Sequence, residues 1–190
     1  MITIILMTLF TLLISIGNAY SVGTALPYAK QQGGFGKLVT ISGGVMTGIG
    51  FSMVFAVIIV GFCAVTHLIS HKTVMAFGHI FPALIIIPLV MSGFFITIQS
   101  WKAAFAKGQG GWERAGNIIG ASYNTFAQID NLLSMPKIFD KAFNNDDDRN
   151  SSLAGLTIAL LALASGFIVA YKLINFFAQK EISKYIQVSA

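Results

Sequence analysis

Residues 37–102 read KLVTISGGVMTGIGFSMVFAVIIVGFCAVTHLISHKTVMAFGHIFPALIIIPLVMSGFFITIQSWK, and this stretch decides the fold. Its only Lys, Arg, Asp or Glu residues are Lys37, Lys72 and Lys102. Two charge-free runs therefore lie back to back, separated by the short polar junction His67–Lys72. A helix on a water-exposed surface must show a polar face, and neither run has one. At about 1.5 Å per residue, the runs from about Leu38 to Thr66 and from about Thr73 to Ile98 each exceed the roughly 30 Å hydrocarbon core of a bilayer. With so short a junction they must form an antiparallel hairpin. Pro82 and Pro88 interrupt the second run and predict a kink, which membrane helices tolerate when neighbours satisfy the freed carbonyls.

Composition extends this reading to the whole chain. Of 190 residues, 55% are hydrophobic and 10% charged, with mean hydropathy +0.77, whereas soluble domains average about 25% charged. The expectation is an all-α polytopic membrane protein, one helical bundle over residues 1–190 with no second domain. Net charge is +5. The basic residues flank apolar runs, where they meet lipid headgroups. No basic patch is interleaved with stacking aromatics, which argues against nucleic acid as a partner. The partners expected are the lipid bilayer and other membrane subunits or copies of this chain. Cys63 is the single cysteine, so neither an internal disulfide nor a cysteine metal site can form.

Working outward, a first span is expected over 2–26, softening at Gly17 and Gly23. The alternative is a secretory signal peptide cut after Ala19 or Ser21. The lack of Lys or Arg before the apolar core favours a retained, signal-like helix. The glycines of the loop Lys30–Lys37 make a turn. They do not make a phosphate loop, because Lys37 precedes Leu38 rather than Ser or Thr. A last span is expected over 153–173, followed by a polar helical tail, 175–185.

The polar stretch 101–152 is expected to be a loop on one side of the membrane. It carries an amphipathic helix from about Trp112 to Ser134, ended by Met135-Pro136, and a short helix over Lys137–Phe143. Ile119, Tyr123, Phe126, Ile129 and Leu133 form its apolar stripe, with Asn117, Asn124, Gln128 and Asp130 off it. That stripe should rest on the membrane surface or the bundle, and Trp112, Ile119, Tyr123, Phe126 and Leu133 are the candidate partner-docking residues. The run Asn144–Asn150 reads as a solvated acidic turn, lacking the ligand alternation of a calcium loop. Four spans put both termini on one side. Counting basic residues then puts the 101–152 loop in the cytoplasm; the signal-peptide reading gives the reverse.

Small residues recur at helical spacing. Gly43, Gly44, Gly48 and Gly50 in the second span, and Ala162, Gly166 and Ala170 in the last, form faces that allow close backbone approach. They can serve packing within the subunit or contact between subunits. His67, His71 and His79 are the candidates for a metal or haem, with interfacial and packing roles the expected ones, so no metal or cofactor is assigned. No ionisable residue lies near the middle of an expected span, as an ion or proton pathway would need. No nucleophile motif is present. Enzyme is the weaker class, with no catalytic residue assigned.

The possible leader, apolar helix, short basic turn at His71-Lys72 and second apolar helix resemble the pilin-type and small inner-membrane subunits of conjugation and type IV secretion machines. The resemblance covers roughly Gly33 to Ser100 and is one of architecture. It implies a non-enzymatic subunit of an oligomeric complex in a bacterial inner membrane. A homo-oligomeric pore or channel and a haem- or metal-binding redox subunit are the alternatives.

Overall fold

The computed structural model describes residues 2–29, 33–144 and 148–188. It is all-helical: α1 (Ile2–Ala25, running into a short 3-10 turn, Leu26–Tyr28), α2 (Gly34–Val65), α3 (His71–Ala104), α4 (Gly111–Phe143) and α5 (Arg149–Val188). Four segments are long and apolar enough to cross a bilayer: Ile2–Tyr28, Gly34–Val65, His71–Ala104 and Arg149–Lys184. The chain is an integral membrane protein.

Helix boundaries depart from the sequence reading where no residue stops the helix. α3 remains one helix through Pro82 and Pro88. The expected tail, 175–185, is the continuation of α5, which runs for 40 residues. Nor does Met135-Pro136 end the amphipathic helix. α4 continues through Pro136 to Phe143 as one 33-residue helix, so the two helices expected in that stretch are one.

The turn between α2 and α3 shows how a short junction closes the hairpin. His67 takes a left-handed conformation, φ 55°. Its N–H donates to the Ala64 carbonyl at 3.3 Å and that of Leu68 to Cys63 at 2.9 Å, the pairing of a Schellman ending. Ser70 then caps α3 by accepting from the Thr73 N–H at 3.1 Å, which satisfies one of the free donors of the first turn.

α2 and α5 form the central pair; α1 flanks both on one side, α3 flanks both on the other, and α4 packs on α3. The core between α2, α3 and α5 holds Ile49, Ala56, Phe81, Ile85, Ala159 and Ala162. A second cluster, Ala19, Phe51 and Ala170, joins α1 to α2 and α5. Lipid-facing helices gain no hydrophobic drive from pairing, so close packing must hold them. The small residues provide it. Gly43 faces Val22 and Gly50 faces Ser15, both on α1, while Gly48 lies under the Phe167 ring of α5. Gly44 faces Ile174 more loosely, and Gly166 abuts the backbone of Ser52. Ala162 and Ala170 are buried beside them. Of the two roles open to these residues, the structure assigns packing within the subunit.

At the turn end of the hairpin, Asp148 ties α5 to α3. Its carboxylate accepts from the Ser151 N–H at 2.9 Å and the Ser151 hydroxyl at 3.0 Å, and lies 3.8 Å from Lys72 Nζ. The Ser151 hydrogen bonds, and secondarily the Lys72 charge, hold its pKa below the ordinary 3.8.

Two outcomes follow from these contacts. Gly166→Ala forces a methyl against Ser52 backbone and should destabilise the bundle by roughly 1–3 kcal/mol. Gly44→Ala meets only the tip of Ile174 at 3.9 Å and should stay within about 0.5 kcal/mol. Thermal unfolding in micelles compares them. A depressed carboxylate pKa contributes stability above the unfolded value and loses it as pH falls through the folded one. Unfolding temperature should therefore fall as pH drops below about 4, and Asp148→Asn should flatten that part of the profile.

Candidate functional site: the polar seam of α3 and α4

Side chains fix the register of α4 along α3. Asn124 Nδ2 donates to Ser100 Oγ at 3.0 Å, and Trp101 Nε1 donates to Thr125 Oγ1 at 2.9 Å. Thr125 Oγ1 in turn donates to the Ala121 carbonyl at 2.9 Å. Next along, the Gln128 side chain lies directly against Gly93. Further on, Phe139, Ala142 and Phe143 share a cavity with Ile80, Ala83, Leu84 and Ile87. α4 thus runs antiparallel beside α3 from its Ala104 end to its His71 end.

This corrects the expectation of a loop confined to one side. Because α4 carries the chain back across the bundle, α5 starts beside Lys72 and finishes at the opposite end, with Ile174 and Phe177 against Gly23 of α1. The start of α1 lies at the His71 end, where Ile4 shares a cavity with Val57, Val60 and Phe81. The described chain therefore begins at one end of the bundle and finishes at the other, not on one side.

The orientation of α4 is also the reverse of that expected. Ala121, Asn124, Thr125 and Gln128 face α3, and the apolar stripe faces outward. Trp112 is 93% exposed, and Tyr123 and Phe126 are each 72% exposed; Ile119, Ile129 and Leu133 are exposed too. In water a polar face seeks solvent. Beside an apolar bundle a polar side chain is better placed against a polar partner on the neighbouring helix, and α3 offers Ser100, Thr97 and the bare backbone at Gly93. Gln128 Oε1 and Thr97 Oγ1 are buried without a hydrogen-bond partner, so the seam has unmet polar capacity.

Two adjoining cavities open along this seam toward the Gly34 end. One, 440 Å³, is lined by Asn18, Ser21, Thr40, Gly43, Ile96 and Asn124 among others. Its neighbour, 260 Å³, shares Val39, Ile96 and Asn124 and adds Gln99, Ser100 and Asn117. Together they form an uncharged cleft, mainly apolar in its walls, into which these amides and hydroxyls are set.

Charge lies on the outer face. Asp130, Lys137, Asp140 and Lys141 are all exposed, interspersed with the apolar stripe; Asp130 sits on that face, not off it. Thirteen residues past Asn124 is Lys137, and thirteen before Ser100 is Ile87, at the middle of α3. The register thus places ionisable residues at the depth of an apolar span, where the sequence reading had none. The ion pairs among the described residues are Lys72–Asp148 and Lys184–Glu181, so these α4 charges are not paired within them. Asp140 accepts from Asn144 Nδ2 at 2.7 Å.

The histidines do not converge. His67 is the left-handed turn residue, His71 opens α3, and His79 lies two turns further in. No group of three potential metal ligands occurs among the described residues. Reading α4 as a surface helix missed the seam. The signal for it was the matched spacing of small and polar residues at Gly93, Thr97 and Ser100 on α3 and at Asn117, Ala121, Asn124 and Gln128 on α4.

Comparisons of the chain with protein-family models, with curated proteins and with solved structures returned no match.

Labelling tests the α4 crossing. In a Cys63→Ala background, Lys107→Cys and Asn144→Cys should react with an impermeant maleimide from opposite sides of sealed vesicles. Labelling of both from one side would return α4 to the membrane surface.

Proposed function

We propose that this chain is a non-enzymatic membrane subunit of an oligomeric complex, with α4 as the helix that meets its neighbours. The observation that carries this reading is the outer face of α4. It presents Asp130, Lys137, Asp140 and Lys141 at the depth of the apolar spans, among exposed aromatic and aliphatic residues. Ionisable side chains facing hydrocarbon are costly. Copies of this chain or other subunits that cover them, with Trp112, Tyr123 and Phe126 as anchors, remove that cost. A face of two acids and two bases is also suited to a self-complementary contact, in which each acid meets a base of the other copy.

The setting we propose is a bacterial inner membrane, within an assembly of the conjugation or secretion kind. The short-turned α2–α3 hairpin supports that setting by architecture alone. With α4 crossing the membrane, Lys37, Lys102, Lys107, Arg114, Lys180 and Lys184 collect at the Gly34 end, against Lys72 and Arg149 at the other. Positive-inside bias then orients the Gly34 end to the cytoplasm.

A second reading, a pore, is favoured by the same charged face combined with the amides and hydroxyls of the α3–α4 seam. In it, the α4 helices of several copies would surround a water-filled path.

One pair of substitutions addresses both. Lys137→Leu with Asp130→Leu should weaken self-association or partner retention about tenfold, a loss of roughly 1.4 kcal/mol, read by native mass spectrometry of mildly extracted protein. If the assembly is unchanged and the variant simply becomes more thermostable, the face meets lipid and the subunit reading fails. Ion conductance in liposomes that these substitutions alter would select the pore.

A further inference from the structure

α4 and α5 both lie on α3, and in the half of the bundle nearer His71 they stand apart. The gap between them is a slot of 640 Å³. Its floor is α3, with Ile80, Leu84 and Ile87, and its walls are Phe139 on α4 and Leu156 on α5. At its outer end stands Arg149, the one ionisable residue of the lining. We infer that this slot holds one acyl chain of a membrane phospholipid, with the lipid phosphate on the Arg149 guanidinium.

Depth, shape and charge each support this occupant. The slot runs from Ile87, at the middle of α3, to Arg149, at the first residue of α5. That is the path from bilayer centre to headgroup level. Its volume falls within the range of small-molecule pockets. A flexible chain can follow this irregular slot, whose lining is aliphatic and aromatic along most of its length. A guanidinium is planar and presents paired donors that match phosphate oxygens. Of the nearby charges, Asp148 is occupied by Ser151 and Lys72, and Asp140 by Asn144. Neither Asp140 nor Asp148 is among the residues that line the slot. The site lies on the inner side of α4, away from the charged face, so it stands independently of the subunit reading.

The experiment measures phospholipid retained per chain after extraction and washing in mild detergent, by phosphate assay and native mass spectrometry. The full chain is compared with Arg149→Gln and with Ala142→Phe, which fills the slot. The full chain should keep one phospholipid. Arg149→Gln, at an exposed position, should weaken retention about tenfold, as loss of one charge-assisted contact implies. Ala142→Phe should abolish retention with the helical circular dichroism unchanged. To guard against a misfolded variant, a spin-labelled phospholipid added to the unaltered chain should show one immobilised component per chain, displaced by unlabelled phospholipid and not by a long-chain alcohol. Equal retention in all three chains, or displacement by the alcohol with no effect of Arg149→Gln, would overturn the assignment.

Discussion

Hydrocarbon gives one helix no reason to leave it for another. The structure therefore depends on how closely backbones can approach, and the contact between Gly166 and the backbone of Ser52 is where that constraint is tightest. Ser52 sits wholly buried there, its hydroxyl donating to the Gly48 carbonyl of its own helix at 2.7 Å and reaching the Leu163 carbonyl across the interface at 3.4 Å. Bare backbone on α5 and a satisfied small polar group on α2 let dispersion act over the full interface. The positions of α1 and α3 follow, since each seats in a groove of the central pair. Gly50 receives Ser15 from α1, and Gly155 of α5 receives the backbone at Ala76 and Phe77 of α3.

α4 obeys the same constraint with a different chemistry. It carries too many polar groups to be counted among the apolar spans, and it resolves the conflict by turning its amides inward. The Asn124–Ser100 and Trp101–Thr125 bonds and the Gln128–Gly93 contact give the α3–α4 pair a polar seam in place of a glycine zipper. In its deeper half the inward face changes to Met135, Phe139 and Ala142, which have no polar group to satisfy. Pairing gives way there to the open slot beside α5.

The spans were legible in the sequence because length without charge admits one solvent. The hairpin was legible because six residues at His67–Lys72 leave no other connection. The small-residue faces were legible as faces, but not as to what they touch, since a glycine stripe has the same spacing whether its partner is in the chain or outside it. α4 was misread for a physical reason. Periodicity identifies an apolar stripe and says nothing of which side the stripe faces, and the default that it faces the protein belongs to water. Pro136 compounded this: a proline counts as a stop only where the lost hydrogen bond is not made good by neighbours. The charges at Asp130 and Lys137 were visible throughout, but their depth became visible only once Asn124 was set beside Ser100.

The unbroken length of α5 has a mechanical consequence. Its 40 residues make a rod of about 60 Å, twice the hydrocarbon thickness of about 30 Å. The bundle holds it at Ala178, which is buried beside Gly23. What lies beyond is a stiff lever rooted among the spans. A push or twist delivered at its aqueous tip travels down the helix to Gly166 and Ser52 without a hinge to absorb it, so load on the tip is load on the joint that holds α2 and α5 together.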